Sequence, residues 1–197
     1  MDLMYYNSPP GLQFLHCMRN SVKGGSSIFV DSFRAATLLR MHDKHAYHAL
    51  TNTPVQFHYL NDNRHYYQSR PTIVPDANDP HGLAIDHINY APPFQAPFEI
   101  ETMGKGKANW KRFVKALSLF SEITEREFMR FEDTLKVGEC VAFANRRVLH
   151  ARRAFETEVG ERWLKGTYVD WDDFQSKLRV SMDKYGSDFE MKRGIFS

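Results

Sequence analysis

Short extended runs, each ended by glycine, proline or an Asp/Asn cluster, recur along the chain, and this punctuation constrains the fold more than any other feature. Gly11 to Met18 (GLQFLHCM) and Ser27 to Asp31 (SIFVD) lie either side of the Lys23-Gly24-Gly25 break, which predicts two strands joined by a glycine turn. Val55 to Leu60, Tyr66 to Val74 and Leu83 to Tyr90 read as further strands, with a loop over Asp76 to Gly82 and a stop at Pro92, Pro93 and Pro97. Phe128 to Leu135, Cys140 to Ala144, Val148 to Ala151 and Arg162 to Val169 supply a late group of strands.

Helical spacing interrupts this pattern in three places. After Ser32 the apolar residues predict two short helices, capped at the start by Asp31 or Ser32. Over 108–122, Trp110, Phe113, Val114, Leu117 and Phe120 share a stripe, which predicts an amphipathic helix packed on a sheet. Asp170 to Met182 finishes helically. Many short strands with a few flanking helices predict a mainly β fold, a jelly-roll-like double-stranded β-helix.

Length and charge narrow the classes. At 197 residues and 42% hydrophobic content, the chain suits one globular unit. A net charge of +2 argues against a nucleic-acid groove or a polybasic membrane patch. No apolar run reaches the roughly 20 residues of a membrane span, and a cytoplasmic location is expected. Cys17 and Cys140 have no metal-ligand spacing and read as inert packing residues in a reducing compartment. His42, His45 and His48 repeat at three-residue spacing, which reads as a polar helix edge, the other option being a surface metal site.

Two blocks carry more information, GECVAFANRRVLHARRAF (138–155) and ERWLKGTYVDWDDFQSKL (161–178). Together they resemble the C-terminal signature of the γ-butyrobetaine and trimethyllysine hydroxylase branch of the taurine-dioxygenase-like Fe(II)/2-oxoglutarate dioxygenases. The opening DLMYYNSPPGLQFLHC and the segment GGSSIFVDSF are similar to the same family, so the resemblance covers nearly the whole chain.

That resemblance implies Fe(II) and 2-oxoglutarate, with ascorbate as reductant, and a small-molecule substrate, γ-butyrobetaine or a related quaternary ammonium compound hydroxylated toward carnitine. Two histidines and a carboxylate leave three positions open on Fe(II), enough for the cosubstrate and dioxygen. Asp2 falls on the carboxylate of the family's H-x-D, and His150 on its distal histidine. Arg162 falls on the arginine that holds the distal carboxylate of 2-oxoglutarate, a task suited to a guanidinium fork. Ser27 falls on a hydroxyl position for the same carboxylate. Tyr168 matches a tyrosine facing the trimethylammonium group, and Tyr5 and Tyr6 are nearby candidates, because ring faces attract a cation with no N–H donors. His16 belongs to a strand motif and reads as structural.

Departures from the pattern set the alternatives. Ala144 stands where the family has aspartate, Ala151 where it has glycine, and INYAPPF (88–94) replaces an asparagine-rich segment. Met1 takes the middle position of H-x-D, so the expectation is a catalytic domain over 1–185, its jelly roll incomplete at the N-terminus, with a loosely ordered tail over 186–197. A homodimer is expected from the resemblance. Two other readings stay open: an inactive fragment or pseudoenzyme serving as a dimerisation or binding module, and a dioxygenase of another small amine or acid.

Overall fold

The computed structural model describes residues 1–98, 106–156 and 160–186. Strands Leu12–Asn20 (β1) and Ser27–Asp31 (β2) come first, then helices Ser32–His42 (α1) and Lys44–Asn52 (α2). Two antiparallel pairs follow, Pro54–Asn61 (β3) with Arg64–Pro71 (β4), and Ile73–Pro75 (β5) with Ile85–Ile88 (β6). Helix Gly106–Thr124 (α3) precedes Arg130–Asp133 (β7), Cys140–Ala144 (β8), Val148–Arg152 (β9) and Arg162–Val169 (β10), and Trp171–Tyr185 (α4) comes last.

Six strands make two antiparallel three-stranded sheets, ordered β10-β1-β8 and β7-β2-β9. Strands β7 to β10 alternate between the two sheets, and so do β1 and β2. This exchange separates a jelly roll from a meander, and it is the class expected from the sequence. The Gly24-Gly25 turn therefore joins two sheets and closes no hairpin. Both glycines lie at positive φ, 87° and 73°, where L residues are strained.

Asp31 caps α1 by accepting from the backbone N–H groups of Phe33 and Arg34, and Arg147 grips its carboxylate with Nε at 3.2 Å and Nη2 at 2.9 Å. Asp43 ends α1 and caps α2, so the histidine triplet is broken: His42 lies on α1 while His45 and His48 lie on α2, all three exposed. The run expected over Tyr66 to Val74 divides because Pro71, with no N–H to donate, ends β4.

α3 extends beyond its expected bounds and packs on α1 and α2 more than on a sheet. Its buried face is Phe113, Ala116, Phe120 and Ile123, a three-to-four-residue spacing that leaves Val114 43% exposed, against the stripe read from the sequence. Those residues join Leu39, Leu50, Phe57 and Ile73 in the principal core, which also takes Val30 and the partly buried Ile28 and Leu149 from one face of β7-β2-β9. Burying each large side chain contributes about 1.5–3 kcal/mol. The opposite face of that sheet looks toward β10-β1-β8, and the residues between the sheets are of another kind: Phe29, Phe143 and Cys17 beside the buried polar Gln13, Ser27 and Asn145.

Cys17 is buried as expected, whereas Cys140 is exposed at the start of an edge strand, so it is no packing residue. No helix among the described residues is long and apolar enough to cross a membrane. Of the tail expected over 186–197, only Gly186 is described; 187–197 lie outside the described residues.

Candidate functional site

Directly opposed residues of an antiparallel ladder share a face. Gln13 opposes Tyr168 on one side and Phe143 on the other, so these three face the space between the sheets. Phe29 opposes His150 in the second sheet. The Phe143 ring meets both Phe29, at 5.5 Å between centroids, and His150, at 5.1 Å, which brings the two inner faces together.

Asp2 sits at the end of this seam. Its Oδ1 lies 3.6 Å from His150 Nε2. Its Oδ2 accepts from Gln13 Nε2 at 2.7 Å and from the Tyr168 hydroxyl at 2.8 Å. The backbone at this point is fixed by Asn145, which is fully buried at the end of β8. Asn145 Oδ1 accepts from the Asp2 N–H at 2.9 Å, and Nδ2 donates to the carbonyls of Asp2 at 3.0 Å and Pro10 at 3.1 Å. Leu3 then adopts φ 60°, a left-handed conformation that costs a leucine about 1–2 kcal/mol. A Tyr6 N–H to Leu3 carbonyl bond of 3.0 Å and the Asn145 clamp hold it there.

His150 is a partly buried imidazole whose buried Nδ1 has no hydrogen-bond partner, and its Nε2 meets Asp2 beyond hydrogen-bond length. Burial lowers its pKa against a smaller upward pull from Asp2, so the ring is neutral near pH 7 and offers a lone pair. A neutral imidazole and a carboxylate facing each other fit two donors of one metal ion, two of the three that iron of the two-histidine, one-carboxylate type takes. Among the described residues no group of three His, Cys, Asp or Glu side chains forms. Burial, and then the Asp2 carboxylate, raise the Tyr168 pKa, so its hydroxyl stays protonated and donates.

Arg162 lies at the start of β10, with Nη2 donating to the Gly25 carbonyl at 3.2 Å and a buried Nε that lacks a partner. A Cβ on Gly25 would approach that Nε to 3.1 Å, so glycine there provides both the backbone turn and the room for the guanidinium. Ser27, 4% exposed, stands two residues further on. Arg152 and Arg162 both lie over the Phe155 ring, at 4.4 and 5.6 Å from its centroid, giving a second cation at the same end of the sandwich.

Asp2, His150 and Tyr168 are thus brought together, with Arg162 and Ser27 along the same interior. Tyr5 and Tyr6 lie near enough to Tyr168 to act on its hydroxyl electrostatically, while their rings pack with other tyrosines. Tyr5 is 7% exposed and stacks on Tyr59 at 5.2 Å, and Tyr6 packs on Tyr66 at 5.0 Å, in a tyrosine cluster under the β3–β4 turn. A cavity of about 570 Å³ touches Asp2 and His150, and its lining includes Ile28, Val30 and Leu149 from the helix side of the sheet and the charged Glu125, Arg130 and Arg153. Sequence reasoning missed Gln13 and Asn145. The available signal for Gln13 was a polar residue in phase with Leu15 and Cys17 on an inward-facing strand.

Residues 1–168 match the family described as taurine catabolism dioxygenase TauD, TfdA family. The chain is 45% identical over 188 residues to dioxygenase str8 of Strobilurus tenacellus, covering 91% of this chain and 42% of that protein. It is 35% identical to the gamma-butyrobetaine dioxygenase of Pseudomonas sp. (strain AK-1), covering 91% and 44%, and 31% identical to that of Homo sapiens, covering 91% and 45%. It therefore spans less than half the length of these relatives. In structure it is similar to an asparagine oxygenase solved with Fe(II), 2S,3S-3-hydroxyasparagine and succinate, at a TM-score of 0.61 and 17% identity over 94% of this chain and 51% of that one. A taurine dioxygenase from Burkholderia xenovorans superposes at 0.62 and 13% identity over 85% and 56%. The two-sheet fold is shared with these oxygenases, and with its match running from the first residue to Tyr168 the chain belongs to the TauD/TfdA dioxygenase family.

Proposed function

We propose that this chain carries the site of an Fe(II)- and 2-oxoglutarate-dependent dioxygenase that hydroxylates γ-butyrobetaine or a related quaternary ammonium substrate. The observation that carries the reading is the facing pair of Asp2 Oδ1 and His150 Nε2, 3.6 Å apart and far separated in sequence. Asp2 supplies a negative oxygen donor and His150 a neutral nitrogen donor. Arg162 holds the distal carboxylate of 2-oxoglutarate with the help of Ser27, and its partnerless Nε is the kind of buried donor that such an anion satisfies. Tyr168 adds a ring beside the metal for an ammonium group. When bound, the iron supplies the centre at which dioxygen converts 2-oxoglutarate to succinate and carbon dioxide and delivers one oxygen atom to a substrate C–H bond.

One observation favours another small amine or acid as the substrate. Asn89, the one asparagine of INYAPPF, is fully buried, donates to the Pro71 carbonyl at 2.8 Å and accepts from Arg146 Nη2 at 2.6 Å, so its amide is committed to the fold. The test is succinate release from 2-oxoglutarate with Fe(II) and ascorbate, comparing γ-butyrobetaine, trimethyllysine and other small amines and acids. Turnover coupled to γ-butyrobetaine and lost in His150→Ala is expected. Coupling to a different compound would replace the substrate assignment, and no turnover with any would leave a binding module.

A further inference from the structure

The Asp2 carboxylate has two unlike oxygens. Oδ1 faces His150 Nε2 and accepts no hydrogen bond, whereas Oδ2 receives two, from Gln13 Nε2 at 2.7 Å and from the Tyr168 hydroxyl at 2.8 Å. The donors come from neighbouring strands and oppose each other in register, so one ladder fixes both. Gln13 is 2% exposed, and the amide cannot be turned over without setting its oxygen against the carboxylate. As placed, its Oε1 is buried without a partner, an arrangement that packing alone would not select. An amide N–H and a phenol hydroxyl within 2.8 Å of a carboxylate oxygen that can only accept are both donors to it.

We propose that Gln13 and Tyr168 are positioning residues that make Asp2 a one-oxygen ligand, with Oδ1 turned to the metal beside His150 and Oδ2 withheld from it. This rests on the reading of Asp2 and His150 as iron ligands. A carboxylate that chelated through both oxygens would take one more position on the ion. Holding Oδ2 back confines Asp2 to one position and leaves the others to the remaining ligands, of which the cosubstrate and dioxygen need three. The Tyr168 hydroxyl is thereby assigned to the ligand, and only its ring is left to face a substrate.

The test is Mn(II) titration of the full chain by water-proton relaxation, with the EPR line shape of the bound ion and a melting curve for each protein. The variants are Tyr168→Phe, Gln13→Met and Asp2→Ala. Tyr168→Phe and Gln13→Met are each expected to weaken Mn(II) binding about 10–100-fold, the usual effect of removing a partner of a metal ligand, and to alter the line shape. Tyr168 is 39% exposed, so its variant should melt where the unaltered chain does. If Asp2→Ala binds Mn(II) as the unaltered chain does, or the unaltered chain binds none, the metal-site reading fails and takes this proposal with it. If Asp2→Ala loses the ion while the other two keep the affinity and line shape of the unaltered chain, only the positioning role is overturned. Losses of affinity that follow falling melting temperatures in both variants would also overturn it, by assigning them to packing.

Discussion

Asn145 shows how much one buried amide can organise. Replacing it with alanine would strip partners from the Asp2 N–H and from the carbonyls of Asp2 and Pro10, where each unmade buried bond costs about 1–3 kcal/mol. We expect Asn145→Ala to lose about 2–4 kcal/mol in urea unfolding, a large effect for a residue that contributes no apolar area. A second expectation concerns His87. Burial lowers its pKa, Arg146 acts in the same direction, and Asp86 at 2.5 Å opposes them in part. Above the ordinary value of about 6.5, folded and unfolded chains are equally neutral here. As the pH falls below it, the unfolded chain takes up the proton first, and stability is lost until the lowered folded value is passed. The melting temperature should fall more steeply between about pH 7 and pH 5 in the unaltered chain than in His87→Gln. At this scale distinctive motifs singled out His150, Asp2 and Arg162, and the fold places the first two face to face. Gln13 was hidden because its role depends on Asp2 and Tyr168, which its own strand does not reveal.

Strands were legible as elements because alternation is a local property: Ser27–Asp31, Cys140–Ala144 and Arg162–Val169 have the limits their sequence implies. Their partners were not, since nothing within β2 says that β7 and β9 will flank it, or that the preceding glycine turn crosses to the other sheet. The stripe on α3 was misread by a fraction of a turn, because Val114 is as apolar as its neighbours and only contact with α1 and α2 fixes the rotation. The difference is measurable. Phe120→Ala should cost about 3–5 kcal/mol by leaving a cavity in the principal core. Val114→Ala should change stability by no more than about 0.5 kcal/mol. Chemical denaturation of the pair distinguishes the observed rotation from the one read off the sequence.

On the scale of the molecule, the sheet β7-β2-β9 separates two interiors. The helix side is apolar and supplies most of the burial, while the side facing β10-β1-β8 holds Gln13, Ser27, Asn145, Arg162 and the Asp2–His150 pair. A jelly roll was legible from the punctuation of the chain, but this division of labour was not, because Ser27, Phe29 and Asp31 on one face of β2 and Ile28 and Val30 on the other do not say what covers each. Besides the bond from Gln13, the hydrogen bonds that define Asp2 join it to residues 143 and 166 positions away. Closing loops of that length has an entropic cost that must be overcome before the contact is made. No local segment can therefore assemble the site, and partial opening at either end of the chain dissolves it. An ion held by Asp2 and His150 would fasten the first residues of the chain to β9. At a concentration one hundred times its dissociation constant it should add about 2.7 kcal/mol to the stability of the whole domain, visible as a single upward shift of the melting transition.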